Sequence, residues 1–431
     1  MKRWLEVAVV ICLLGIPLRA QEAKTPPKTI AVKAAHLIDT KAGRVLEQQV
    51  VLIVGERIEK VGSAKEIQVP AGVTVIDLGP ATLLPGLIDA HVHLTGDPEH
   101  SGYKSLGISV PRQTLTGAKN ARLTLEAGFT TVRNVGAASY SDVALRDAIN
   151  AGEIPGPRML VSGPALGSTG GHCDENLLAP EFAYHDEGVA DGVPAVLAKV
   201  REVIKYGADV IKFCASGGVF SKGDLPGTEQ YSPAEMSALV EEAHRQGRKV
   251  AAHAHGGQAI TDAAKAGVDS IEHGSLIDDE GIRAMKEHGT YLVADIYNDD
   301  FILGLGKQFG FTDEMLEKER MVGQQQREGF RKAAQAGVKI AYGTDAGVYP
   351  HGGNAKQFAY MVKYGLTPIE AIQSATVNAA DLLGWSDRVG CIEPGKFADL
   401  IVVESDPLKD ITVLERIKFV MKGGQIVKNE L

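Results

Sequence analysis

Short apolar runs, each followed by a longer amphipathic stretch, recur through the middle of this chain. Leu87–Leu94, Thr130–Val135, Arg158–Ser162, Val210–Phe213, Val250–His253, Ser270–His273, Tyr291–Ile296 and Lys339–Gly343 read as buried strands. Helical periodicity separates them, as in Pro111–Ala127, Val193–Tyr206, Pro233–Gln246, Asp278–His288 and Pro368–Leu383. Eight strand–helix units fit a (β/α)8 TIM barrel, typically ~250 residues with insertions extending it. A doubly wound open sheet is the rival, but no glycine-rich dinucleotide fingerprint follows the first strand. The long, charged stretch Asn298–Gly337 predicts a helical lid after the seventh strand.

Both ends of the chain have a different texture. Thr29–Ala34, Val50–Val54, Arg57–Val61 and Val73–Asp77 are short strand patterns broken by Gly43, Gly55, Gly62 and Gly72. The same pattern returns in Leu400–Val403, Ile417–Met421 and Gln425–Val427. The expected fold class is therefore α/β, a TIM barrel over residues 85–385. Residues 21–84 and 386–431 would together form a small composite β-sandwich domain.

Residues 1–20 read as a signal peptide. Lys2 and Arg3 open it, Val7–Ile16 is its apolar centre, and Leu18-Arg19-Ala20 offers a cleavage end. Glu6 and Arg19 fit that role imperfectly, and a retained anchor is the competing reading. The apolar run falls short of the ~20 residues a membrane span needs. A periplasmic or secreted protein with no stable membrane span after signal removal is expected. The formal net charge is −9, which argues against a nucleic-acid partner. Cys12 would leave with the signal; Cys173, Cys214 and Cys391 show no framework spacing. No disulfide scaffold is implied, and Cys214, inside an apolar strand, reads as a buried structural thiol.

The chemistry sits at the ends of the apolar runs. His91-Val92-His93 places two imidazoles on one face of a strand, because side chains alternate with period two. The further strand ends carry Lys212, His253, His273 and Asp345. Barrel enzymes place their chemistry at the C-terminal ends of strands. Four imidazoles and a carboxylate there suit a divalent metal, zinc above all. An ordinary lysine is cationic and would repel a metal. Buried beside metals, Lys212 would be driven toward the neutral amine, which can add carbon dioxide to give an anionic carbamate. A lysine paired with a neighbouring carboxylate is the alternative.

Taken together, Pro85-Gly86-Leu87-Ile88-Asp89-Ala90-His91-Val92-His93, Lys212, His253, His273, Gly343-Thr344-Asp345 and Pro394-Gly395-Lys396-Phe397-Ala398-Asp399-Leu400 resemble the amidohydrolase superfamily over the full mature length. The resemblance implies two divalent metal ions per chain. His91, His93 and Asp345 would hold one, His253 and His273 the other, and carboxylated Lys212 would bridge them. Superfamily deaminases generally use one metal and lack this lysine. Ser168-Thr169-Gly170-Gly171-His172, Ser216-Gly217-Gly218-Val219 and Gln230-Tyr231-Ser232 resemble the prolidase-like, imidazolonepropionase-related branch. That branch holds metal-dependent carboxypeptidases and dipeptidases, and hydrolases of ochratoxin-type amides.

The expected reaction is hydrolysis of the amide bond to a C-terminal amino acid in a dipeptide or N-acyl amino acid. Metals would lower the pKa of a bridging water and hold the developing oxyanion. Asp345 would take the water's proton and deliver it to the leaving amine. His172, Tyr231 and His255 are candidate substrate contacts. For each a plainer role stands beside it: a loop histidine, a ring sealing a helix start, and a solvated imidazole. Lys222 and Arg133 are candidate partners for a substrate carboxylate. Hydrolysis of a cyclic amide or imide, and a non-catalytic barrel serving assembly, are the rival functions. The expected partners are a small-molecule or dipeptide substrate and further copies of the chain in a homo-oligomer.

Overall fold

The computed structural model describes residues 28–431, so the signal-peptide reading of residues 1–20 lies outside the described residues. Strands from residues 29–85 and 400–429 share one sheet. Eight strands form one mixed sheet in the order Gln425–Asn429, Phe419–Lys422, Leu400–Val403, Thr82–Pro85, Thr29–Asp39, Arg44–Val54 and Arg57–Ser63, with Thr74–Asp77 also paired to Thr29–Asp39. Thr82–Pro85 is the seam. It runs parallel to Thr29–Asp39 and antiparallel to Leu400–Val403, with Leu83 opposite Val402. Val32, Ile53, Leu83, Leu400, Val402 and Phe419 bury one face of this sheet. The expected two-sheet sandwich is not separated out: the strands follow one unbroken hydrogen-bonded path.

Gly86 carries the chain from that sheet into the parallel strands. A Cβ there would lie 2.1 Å from Thr130 Oγ1, so only glycine lets the two segments approach this closely. Leu87–Val92, Phe129–Asn134 and Arg158–Val161 then form one parallel arc. Val210–Cys214, Lys249–Ala254, Ser270–His273 and Tyr291–Val293 form a second. All but the edges of these strands are buried, as near-continuous apolar runs with helices on their outer faces should be.

Lys339–Gly343, expected as the eighth strand, forms no strand. Its backbone instead bonds singly to its neighbours: Leu292 N donates to Lys339 O at 2.8 Å, and Ala90 N to Tyr342 O at 2.8 Å. Isolated bridges pair Leu292 with Ile340 and Val92 with Ala346. On the other side a bridge from Leu166 to Phe213 links the two arcs. The architecture is thus α/β with parallel strands, without a continuous eight-stranded ladder.

The intervening helices follow their sequence signals. Pro233–Arg245 starts at Ser232, whose hydroxyl caps Glu235 N while the Glu235 carboxylate returns to Ser232 N, with proline at the first helical position. The charged stretch after the seventh strand forms two helices, Asn298–Phe309 and Asp313–Ala336, the second capped by Thr312. Among the described residues no helix is long and apolar enough to cross a membrane.

Candidate metal centre

The strand ends converge on one cavity of about 480 Å³. His91, His93, Lys212, His253, His273 and Asp345 all line it. Nε2 of His91 and of His93 each lie 3.3 Å from Asp345 Oδ1. His91, His273 and Asp345 can offer ligand atoms within 4.8 Å of one another, and so can His253, His255 and His273. His255, expected at most to touch substrate, therefore stands among the imidazoles. Its ring stacks on His273 with centroids 4.8 Å apart, and its Nδ1 meets Ser275 Oγ at 2.7 Å.

Carboxylates behind the histidines fix which ring nitrogen faces inward. His91 Nδ1 donates to Glu272 Oε2 at 2.9 Å, and His273 Nδ1 to Asp295 Oδ1 at 2.9 Å. An imidazole that donates from Nδ1 keeps a lone pair on Nε2, the arrangement a metal ligand requires. Nε2 of His253 is buried without any hydrogen-bond partner, and Nε2 of His91 faces only the Asp345 carboxylate. Orphaned buried nitrogens are costly unless something outside the protein chain satisfies them. This donor set fits a divalent cation.

Electrostatics divide the ligands. Burial and Lys212 oppose a charge on His91, but the carboxylates of Asp345 and Glu272 outweigh them and raise it to about 9. Burial first, then the neighbouring imidazoles, push His253 and His255 well below the ordinary histidine value, leaving both neutral at pH 7. Burial resists ionisation of Asp345, but His91 and His93 outweigh it and hold the carboxyl well below the usual range. Lys212 is 4% exposed, and burial lowers its amine to about 8. A neutral amine is therefore within reach near physiological pH.

The backbone is shaped to the site. His273 and Asp345 both occupy the left-handed region, at φ 69° and 54°, which non-glycine residues adopt only where surroundings over-determine them. Buried Arg133 ties the strands beneath the histidines. It donates to Ala90 O at 2.6 Å, Ser270 Oγ at 2.9 Å and Glu272 Oε1 at 2.8 Å. Despite its burial, Glu272 is held below the carboxylate range by Arg133 and His91. Arg133 therefore serves the histidine carriers and is not free for a substrate carboxylate.

The other candidates divide. His172 lines the cavity, its ring stacked on His253 with centroids 4.1 Å apart and its Nδ1 2.9 Å from Ser221 Oγ. Gly218 makes room for it, since a Cβ there would lie 2.3 Å from the ring. Burial lowers His172 to about 4, so it is a neutral ring rather than a surface cation. Tyr231 does not reach the cavity. Its hydroxyl donates to Ala190 O at 2.9 Å within the core and its ring stacks on Phe213, so the expected substrate contact is replaced by a packing role. Lys222 is exposed at the cavity wall.

Cys214 is not the isolated thiol expected. It is disulfide-bonded to Cys173, with Cα atoms 5.9 Å apart, because the loop after Arg158–Val161 folds back over the end of the Val210–Cys214 strand. Cys391 remains a buried free cysteine. Glu272, Asp295 and Glu319 were not singled out in the sequence. The first two adjoin strand ends, Glu272 immediately before His273, and that adjacency was the available signal. Nothing local marks Glu319.

A histidine-rich centre at the ends of parallel strands, with orienting carboxylates behind it, is a site that could hold a metal ion. The Amidohydrolase family matches residues 82–427, and the chain belongs to it. It is similar to ochratoxinase of Aspergillus niger, 37% identical over 369 residues, covering 80% of this chain and 75% of that protein. A solved Xaa-Pro dipeptidase with methionine bound in its active site is 40% identical, with a TM-score of 0.86, covering 93% of this chain and 99% of that one. A solved prolidase in complex with N-methylphosphonate-L-proline is 33% identical, with a TM-score of 0.85, covering 93% and 100%. The protein is a hydrolase acting on C–N bonds.

Proposed function

We propose that this protein hydrolyses the amide bond to a C-terminal amino acid in dipeptides or N-acyl amino acids, ochratoxin-like aryl amides included. The observation that carries this reading is Asp345, anionic and 3.3 Å from two candidate metal-binding imidazoles, facing a cavity large enough for such a substrate. Likeness to a Xaa-Pro dipeptidase, a prolidase and ochratoxinase supports it.

Two divalent ions per chain, zinc by preference, are part of the proposal. His91, His93 and Asp345 would hold one; His253 and His273 the other, with Lys212 between them as its carbamate. Bound there, such ions supply Lewis acidity that polarises a carbonyl and lowers the pKa of water. Asp345 accepts the attacking water's proton and returns it to the departing nitrogen. Glu272 and Asp295 hold the imidazoles in register while this happens. His172, stacked over His253, presents its remaining ring nitrogen to the substrate. Lys222 offers a cation to the substrate's carboxylate.

The two parallel arcs are proposed to act as the (β/α)8 barrel, with the end-to-end sheet as its small β domain. Export to the periplasm or beyond is proposed as well; the Cys173–Cys214 disulfide supports an oxidising compartment. A homo-oligomer completes the proposal. The test is a turnover screen of dipeptides and N-acyl amino acids with C-terminal amides as controls. Acids should be strongly preferred, because losing a charge-assisted hydrogen bond costs about 1.5–3 kcal/mol. Equal rates on acid and amide, or faster turnover of cyclic imides, would reject this substrate class.

A further inference from the structure

The Asp313–Ala336 helix lays one face along the cavity. Met315, Glu319, Val322 and Gln326, spaced three or four residues apart, all line it. The helix is pinned in register by its neighbours. Gln326 Nε2 donates to Asp295 Oδ1 at 2.7 Å and to His273 O at 3.3 Å. Lys318 Nζ binds Asp224 Oδ1 at 2.6 Å, and Arg327 binds Asp299 at 2.9 Å and Asp300 at 2.7 Å. The acidic neighbours of this helix are thus supplied with cations or donors.

Glu319 is the exception. It is 4% exposed, lines the cavity, and among the described residues its carboxylate takes part in no hydrogen bond or ion pair. Met315 and Val322, one turn away on the same helix face, also line the cavity and can satisfy no charge. Acidic side chains are almost never this buried without a partner, because an unpaired buried charge is expensive. Burial, then the carboxylates of Asp299 and Asp295, push its pKa up to about 8. A cation delivered through the cavity would relieve both costs. Met315 and Val322 beside it on the helix face are apolar, while Asp295 and Asp345 also line the cavity, so a cation carried on an apolar stem suits this wall.

We propose that Glu319 is a specificity-determining residue that accepts a primary ammonium group of the substrate. This rests on the amino-acid-releasing reading above and narrows it to substrates that carry such a group. The ammonium has two possible sources, the free amino terminus of a dipeptide and a lysine side chain. Non-hydrolysable analogues separate them: aminomethylphosphonyl-leucine against methylphosphonyl-leucine, and methylphosphonyl-lysine against methylphosphonyl-norleucine.

Calorimetric binding to the metal-loaded full chain is the experiment. In one of the two pairs the ammonium member should bind at least about ten-fold more tightly, the size of one charge-assisted hydrogen bond. Glu319→Gln, isosteric but neutral, should erase that preference while leaving the methyl or norleucine member unchanged. Glu319→Asp should retain part of it. A wild-type protein with no preference in either pair overturns the proposal without any variant, and so does a preference that survives in Glu319→Gln. Turnover of glycyl-leucine and acetyl-leucine is scored separately. Failure to hydrolyse these or any other member of the dipeptide and N-acyl amino acid screen rejects the amino-acid-releasing reading, whereas a lost binding preference alone rejects only the role of Glu319.

Discussion

Cys173 is covalently joined to Cys214, so the residue after His172 is tethered to the strand that carries Lys212. The bond closes a loop with a sequence separation of 41 and holds the His172 segment against the histidines. In the chain-entropy account a loop of this length is worth about 4 kcal/mol. The double variant Cys173→Ser/Cys214→Ser should lose stability on that scale in denaturant unfolding. It should also lose kcat/KM through the loosened His172. Peptide mapping of the oxidised protein that finds both cysteines alkylatable would defeat this prediction.

Lys212 should be indispensable and irreplaceable by arginine. Burial lowers its amine to about 8, so a neutral fraction is available to react with carbon dioxide. Guanidinium stays cationic and forms no such carbamate. Lys212→Ala and Lys212→Arg should both lose most activity, and short carboxylic acids with bicarbonate should partly restore the alanine variant. Elemental analysis of the metal-replete wild type should give close to two divalent ions per chain. A fully active Lys212→Arg protein, or full activity at one ion per chain, would defeat the bridged arrangement.

Much of this site was legible in sequence because its residues stand in or at the ends of apolar runs. His91, His93, His253 and His273 stand at the ends of such runs and Lys212 inside one, and parallel strands carry them all to one cavity. The rest depends on contacts between distant segments. Lys339–Gly343 looks like a strand by composition but bonds to its neighbours only in isolated bridges. Cys173 and Cys214 meet because a loop folds back, and no local pattern encodes that return. Tyr231 stood next to a helix cap and near glycine-rich loops, yet its hydroxyl turns to Ala190. His255 shares a strand face with His253, but only the packing of Ser275 and His273 brings it among the ligands.

Asp345 should separate metal holding from proton transfer. Its Oδ1 lies 3.3 Å from both His91 and His93, and its other oxygen accepts from Asn298 at 3.4 Å. Asp345→Asn keeps an oxygen in place and removes the base. Turnover should fall by at least ~100-fold, the lower end for general acid–base catalysis. Metal content, measured in the same preparation, should fall far less. Near-normal kcat with metal bound would assign proton transfer to another group.

Asp142 gives a stability prediction away from the candidate ligands. Its carboxyl is buried between Asn134 Nδ2 and Gly163 N, each at 3.1 Å, and Val143 N at 2.9 Å. Burial outweighs these donors and raises its pKa from 3.8 to about 6. Between those values the folded state keeps a proton that the unfolded chain releases. The unfolded state thus binds fewer protons, and this group's contribution to stability falls as pH rises through that window. It is fully present below 3.8 and lost above 6. A shift of this size corresponds to about 3 kcal/mol. Asp142→Asn has no proton to lose, so its unfolding free energy relative to wild type should improve steadily from pH 4 to pH 6 and level off beyond. Urea unfolding of both proteins across that range measures the difference directly. Parallel curves would show that Asp142 ionises in the folded protein as it does in the unfolded chain.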